Sequence, residues 1–436
     1  MHAIRYAFEL ATGRLRKHPF LALTVSLTIG LGIGACMTTT CIVHVLTADP
    51  IPNKKHTLLE TRLMLDGSND EDTADSLTYR DANALLASLQ PPAVGSISAQ
   101  GIGDISIADS VDKKKSILIR LTDKNFFRVF DVPILVGQAW DEAVDQDGAH
   151  VAIIGEKLAQ SLFGRETTVA GEEILIGDSQ FRIVGVIGDW RPVPRYYDLS
   201  VGAYEPADEV YIPITSTRDL NDQISTSFRC ADGSAMTIPK TSDLMTSGCY
   251  WISMWADIPL SWHSAYRTFV IDYVSTLHSQ GLTAAEGKAT LRTVTETLRK
   301  EKVVPNEVRV YAALGFCFMA LCLLSVTSTL LPQYLRRSAE SGLRRALGAS
   351  QINILMESLA ESLLLGIAGA TIGLILTQLG LTLLHRIPVR FTEVSAMDKT
   401  MLCMLIGIAV TGSIATGAYP AWKMSRLAPR VQMQVL

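Results

Sequence analysis

Residues 281–288, Gly-Leu-Thr-Ala-Ala-Glu-Gly-Lys, come nearest to a catalytic signature. They approach a phosphate loop, in which backbone N–H groups and a Lys cradle phosphates and a following Ser or Thr holds Mg²⁺. The match fails twice. The spacing from Gly281 to Gly287 is one residue too long, and Ala289 stands where the hydroxyl is needed. No HExxH, paired CxxC or GxSxG occurs, and the eight histidines are scattered. No catalytic residue, metal ligand or cofactor site is expected in this chain. His44 sits in an apolar run and reads as a packed or interfacial side chain.

Two other constellations remain. Cys230 and Cys249 are the only cysteines between residues 49 and 310; the other five, Cys36, Cys41, Cys317, Cys322 and Cys403, lie in apolar runs. Two cysteines alone in a polar segment predict a disulfide, closing a Gly/Ser/Thr/Asp-rich loop. The second is Ser338–Leu355, SAESGLRRALGASQINIL. It is polar on one face, with Glu340, Arg344 and Arg345 at i, i+4 and i+5, and is broken by Gly348. Such a segment predicts a helix lying along a membrane surface, able to carry charged contacts to a partner.

These residues must be positioned by a membrane framework. Residues 18–48, 310–335, 362–385 and 400–422 contain no Lys, Arg, Asp or Glu. Each run reaches the roughly 20 residues that a helix needs to cross the hydrocarbon core. The fold class expected is an α-helical membrane protein with four transmembrane helices, one plus three, and a large extracytoplasmic α+β domain. Its parts are a cytoplasmic amphipathic helix at 1–17, transmembrane helix 1 at 18–48, and a periplasmic domain at 49–309. Transmembrane helix 2 at 310–335, a cytoplasmic segment at 336–357, transmembrane helix 3 at 358–385, a short periplasmic loop at 386–399, transmembrane helix 4 at 400–422 and a cytoplasmic tail at 423–436 complete it. Within the domain, a core at about 49–189 and 264–309 is expected to carry an inserted β-rich subdomain at about 190–263, and Thr283–Lys302 to form a stem helix.

Charge separates the two parts. Residues 49–310 carry 25 Lys+Arg against 37 Asp+Glu, and the rest 14 against 6. An acidic domain excludes nucleic acid as its partner. Basic flanks before run one, between runs two and three, and after run four place both termini in the cytoplasm and the domain outside. Gly30 and Gly34, and Gly369 and Gly373, form GxxxG pairs that let helix backbones approach closely. The runs lack Lys, Arg, Asp and Glu, which argues against an ion-conducting path through them.

GLRRALGASQINI resembles the cytoplasmic coupling segment of FtsX-like ABC permeases, especially the MacB-type branch. RKHPFLALTVSLTIGLGIGA resembles that family's first span. LTDKNFFRVFDVPILVGQAW, HVAIIGEKLAQSLFG and FRIVGVIGDW resemble its periplasmic core, and GAYPAWKMSRLAP resembles its ending. The resemblance implies a bacterial inner-membrane permease subunit, not itself an enzyme, that works with a cytoplasmic ABC ATPase dimer. That dimer would hold ATP and Mg²⁺. Only 17 residues precede run one, so the ATPase is expected on another chain. Glu340, Arg344, Arg345, Leu347 and Gly348 would couple to it. The other partners implied are a second permease copy or a homologous permease, membrane lipids, a periplasmic adaptor and an outer-membrane channel. The function implied is export driven by motion passed to the periplasmic domain. The alternative is a non-transporting mechanotransmitter that regulates a periplasmic enzyme or senses a peptide.

Overall fold

The structure, a computed structural model, describes residues 2–47, 49–64, 76–107, 114–164, 169–220, 223–230, 240–283, 287–303, 306–336, 350–384 and 399–426. In chain order the helices are α1 (His2–Lys17), α2 (Pro19–Thr47), α3 (Tyr79–Ala87), α4 (Phe126–Val129), α5 (Glu142–Asp147) and α6 (Glu156–Phe163). They continue with α7 (Thr241–Leu244), α8 (His263–Ser279), α9 (Val294–Lys300), α10 (Asn306–Arg336), α11 (Gln351–Leu384) and α12 (Lys399–Arg426). The strands are β1 (Leu58–Met64), β2 (Val94–Ile107), β3 (Lys115–Thr122), β4 (Ile134–Gly137), β5 (Val151–Gly155), β6 (Glu173–Ile176) and β7 (Ser179–Ile187). Then come β8 (Val210–Pro213), β9 (Ile224–Thr226), β10 (Arg229–Cys230), β11 (Cys249–Tyr250), β12 (Ser253–Asp257) and β13 (Lys288–Thr293).

The chain forms two compact units, Met1–Thr47 with Val304–Leu436, and Ala48–Val303. The first is helical. Pro19–His44, Val310–Gln333, Leu355–Leu383 and Met401–Ala418 are each long and apolar enough to cross a membrane. A core of Val25, Ile29, Ile33, Met37, Val326, Leu330, Leu365 and Leu405 joins α2, α10, α11 and α12. Ala11 of α1 packs against Ala360 at the start of α11. The third helix differs from the sequence reading. Read at 358–385, it begins at Gln351, and its membrane-length stretch, Leu355–Leu383, includes Glu357 and the buried Glu361. The helix ignores the polar boundary because Glu, Leu and Ala all favour it. The spans are therefore not free of acids.

The second unit is built on one mixed sheet in the order β13-β1-β12-β2-β3-β8-β5-β7-β4. Strand β6 also pairs with β2 and β7, and β9 with β2. The hairpin read around Gly177 is present: Ile176 pairs with Ser179 across Gly177, whose φ of 60° needs a residue without a Cβ. Helices start where side chains cap free N–H groups. Thr78 accepts from Asp81 N, Asp141 from Val144 N, and Thr293 from Glu296 N in a T-x-x-E box.

Two expectations are corrected. Residues 190–263 do not make a separate subdomain. Strand β8 lies between β3 and β5, and β12 between β1 and β2, so this segment supplies central strands of the main sheet. Among the described residues of this segment, β10 and β11 pair with each other apart from it. The turn-rich stretch 188–209 concealed this, because its buried Tyr196 and Tyr197 pack into the same core as Phe126, Tyr211 and Trp255. Nor is Thr283–Lys302 a stem helix. Lys288–Thr293 is a strand paired along β1 from Thr293↔Leu59 to Lys288↔Met64. The helix begins only at the Thr293 cap. It ends at Lys300, and Lys302 just beyond it has a left-handed φ of 48° that lets Val303 N donate to Leu298 O.

Candidate functional site

The chain enters the outer unit at β1 and leaves it after β13, and these strands are antiparallel neighbours. Leu59, the second residue of β1, lies opposite Thr293, the last of β13. The connectors toward α2 and α10 therefore depart side by side from one sheet end. Both are tied down. On the first, Lys54 Nζ donates to the carbonyls of Arg128 at 2.7 Å and Val129 at 3.0 Å, and pairs with Asp131 at 2.6 Å. On the second, Glu301 pairs with Arg62 of β1 at 3.0 Å, and Thr297 Oγ1 donates to Glu60 at 2.7 Å. Burial alone would lower the Arg62 pKa; Glu60 and Glu301 outweigh it and raise it.

Behind this clasp lies a buried ionic network that sequence reasoning missed. Arg120 of β3 donates to Asp208 at 2.9 Å and to Asp198 and Gln100 at 2.6 Å each. Arg195 donates to the other Asp208 oxygen at 2.8 Å and to the Pro206 carbonyl. Tyr197 donates to Asp208 at 3.1 Å, and its ring lies under both guanidinium groups, at 5.1 and 5.0 Å. Burial would raise the Asp198 pKa, but Arg120 and Arg195 overcome it and hold it at about 2. The same two arginines lower Asp208 against its burial. Two cations and two carboxylates thus stay charged inside the protein, each paired.

The network straps residues 188–209 to the sheet. Trp255 Nε1 donates to Tyr197 O at 3.2 Å, and Trp190 lies 4.9 Å from the Tyr197 ring. The strap also touches the second connector: Tyr204 Oη donates to Val303 O at 3.1 Å. One sequence signal was available. Arg120 interrupts the apolar run Ile117–Leu121, and a strand apolar on both faces leaves a charged residue no route to water. Its partners, some 80 residues on, carry no pattern that names them.

A different buried carboxyl lies nearby. Asp123 accepts from Ser96 Oγ at 2.6 Å. Burial, with Asp145 adding to it, pushes its pKa up to about 8. Among the described residues no group of three or more His, Cys, Asp or Glu could hold a metal ion. Lys288 begins an edge strand of the sheet rather than a helix, so it lacks the setting of a phosphate-loop lysine.

In the helical unit the two GxxxG pairs meet each other. A Cβ added at Gly30 would fall 2.7 Å from Ile372 Cγ2 and 3.0 Å from Gly369 O; one at Gly373 would fall 2.8 Å from Ile33 Cγ2 and 3.2 Å from Gly30 O. Gly34 sits against Leu376, and Gly369 against Ile29. Helices α2 and α11 thus approach to backbone contact. Cys230 and Cys249 face each other across β10 and β11 and are bonded, with Cα atoms 4.1 Å apart. Glu340, Arg344, Arg345, Leu347 and Gly348 lie outside the described residues.

Comparison with known proteins agrees with this two-part plan. Residues 22–238 match the MacB-like periplasmic core domain, and residues 312–429 match the FtsX-like permease C-terminal model. A pyoverdine export ATP-binding/permease protein of Pseudomonas syringae pv. syringae is 27% identical over 70% of this chain and 41% of its own length. A macrolide export ATP-binding/permease protein of Bdellovibrio bacteriovorus is 25% identical over 68% of this chain and 40% of its own. The chain thus spans about two fifths of the length of these relatives. The crystal structure of the periplasmic region of MacB from Actinobacillus actinomycetemcomitans aligns with 59% of this chain and 96% of its own, at 13% identity and a TM-score of 0.38. The two family models together match well over half of the sequence, in the order its two units require. The chain belongs to the FtsX-like permease family of ABC transporters and carries that family's MacB-like periplasmic core domain.

Proposed function

We propose that this protein is an export permease that turns ATP-driven motion of its spans into motion of its outer domain. ATP and Mg²⁺ are held by a cytoplasmic ATPase dimer, which Glu340, Arg344, Arg345, Leu347 and Gly348 contact. Both termini are cytoplasmic and the sheet domain is periplasmic. A second permease copy, or a homologous permease, completes the membrane part, and a periplasmic adaptor and outer-membrane channel receive the substrate. The relatives named for pyoverdine and macrolide export support this class.

The observation that carries the reading is the pair of connectors. Motion reaching α2 and α10 enters the domain on adjacent strands of one sheet, and each connector is pinned by polar contacts, buried on the second. A clasp of this kind passes displacement on as a unit, where loose linkers would absorb it.

The test is purification of the full chain in mild detergent, with identification of what co-elutes. A cytoplasmic ATPase should accompany the wild type and be lost from the Arg344→Glu/Arg345→Glu variant, which should insert normally. Retention of the ATPase and of Mg²⁺-dependent hydrolysis in that variant would reject the coupling role. Co-elution of a cell-wall hydrolase or sensor kinase, in place of an adaptor, would reject export.

A further inference from the structure

The sheet end from which both connectors leave has a rim of unusual composition. Strand pairing brings four points of the chain together there. Leu58 lies opposite Asp257, Asp257 opposite Val94, and Leu59 opposite Thr293. The turns just beyond Asp257 and just before Val94 therefore share that end. They are Ile258–Trp262 and Ser88–Ala93, and neither contains a charged residue. Elsewhere residues 49–310 are densely acidic, with 37 Asp+Glu against 25 Lys+Arg. On the rim Leu260 is 63% exposed and Trp262 39%, with Phe269 of α8 at 41% beside them. Gln90, Pro91 and Pro92 are exposed as well. A recess of about 210 Å³ opens among Leu89, Ala93, Ile258, Trp262, Tyr266 and Phe269. The nearest connector supplies Lys54, Lys55 and His56.

We infer that this rim, Leu260–Trp262 with Ser88–Ala93, rests on the lipid surface of the membrane the spans cross. Three observations choose lipid over a protein partner. First, the tether is short. Val303 is followed by the membrane-length stretch beginning at Val310, and seven residues reach at most about 25 Å even when extended. Second, neither rim segment carries a charged residue, although residues 49–310 as a whole are acidic, so neither brings a carboxylate against anionic headgroups. Third, an exposed Trp and Leu next to uncharged polar groups suit the headgroup layer, which accepts an amphipathic indole as water does not. The rim goes beyond the coupling scheme: it gives the outer domain a bearing surface, so that connector motion tilts the sheet against the membrane.

The test uses the full chain in vesicles of phosphatidylethanolamine and phosphatidylglycerol, with and without phosphatidylcholine brominated high on the acyl chain. Subtracting the emission of Trp262→Phe from that of the wild type isolates Trp262 from the other five tryptophans. Brominated lipid should quench at least half of that component; an unquenched component would overturn the proposal. A second readout does not depend on Trp262. With p-benzoylphenylalanine in place of the exposed Leu260, illumination should give adducts heavier by one phospholipid. Adducts to a second copy of the chain or to another polypeptide would place a protein on the rim and overturn the lipid assignment.

Discussion

The two units of this permease hold together by opposite means. In the helical unit α2 meets α11 through Gly30, Gly34, Gly369 and Gly373, where the absence of side chains creates the contact. In the outer unit Arg120, Arg195, Asp198 and Asp208 are buried, charged and matched by hydrogen bonds. Close helix packing in lipid depends on shape and has little directional penalty, so such seams can shift in small steps. A buried ionic cluster tolerates no such shift, since each displaced partner is left charged in a low-dielectric interior. Under the function proposed above, the difference suits a membrane part that moves and an outer part that keeps its shape.

The contrast can be broken from either side. The largest effect is expected from Arg120→Met, which leaves Asp198 and Asp208 sharing Arg195. Loss of one partner from a buried ion cluster costs about 3–5 kcal/mol. The stability of the outer unit, followed through its tryptophans, should fall by that amount, lowering its thermal midpoint, while helix assembly persists. An unchanged midpoint would mean that the strap is held by its aromatic residues alone.

Next is Cys230→Ser with Cys249→Ser. Opening a loop of this length costs about 3 kcal/mol in the chain-entropy model. The loss should appear as faster proteolysis between β9 and β12, with the spans intact. Alkylation of Cys230 in untreated native protein would show that the pair is not bridged. Gly373→Val tests the other side. Its side chain would meet Ile33, and overpacking of this kind costs about 1–3 kcal/mol. Detergent stability of the helical unit should fall while the outer unit unfolds at its usual temperature.

The last change concerns pH. The Asp123 carboxyl is raised to about 8, so the folded protein keeps a proton that the unfolded chain releases near pH 4. Its contribution to stability is present below the unfolded pKa and is lost as pH rises toward 8. Asp198, held at about 2, acts in the opposite sense: its contribution is present above pH 4 and is lost as pH falls toward 2. Asp123→Asn should flatten the decline in outer-unit stability between pH 5 and 8 and leave the acid limb alone. An unaltered slope would show that another group titrates there.

Local patterns made much of this legible. Runs without charge gave the spans, the alternation around Gly177 gave the β6–β7 hairpin, and glycine spacing marked the face on which α2 meets α11. What escaped depends on distant partners. Ala289–Thr293 looked helical because its pairing strand, β1, lies more than 200 residues earlier. The strap at 188–209 looked like the start of a new domain because its order comes from Arg120, Phe126 and Trp255, none of them near in sequence. Glu361 lies inside the helix read at 358–385 but outside the charge-free run 362–385, and its burial had no signal there, since a helix can carry an acid where its neighbours bury it.

The central claim is that motion crosses from the spans to the sheet through two stiff, adjacent connectors. The most direct measurement is hydrogen–deuterium exchange in the outer unit of the membrane-reconstituted complex with its ATPase, with and without ATP and vanadate. It should be made on the wild type and on a variant with six Gly/Ser residues inserted after Val303. The account expects exchange around Tyr204, Glu301 and Val303 to respond to nucleotide in the wild type. In the variant the response should disappear while ATP hydrolysis continues. An equal response in both proteins, or none in the wild type, would contradict it.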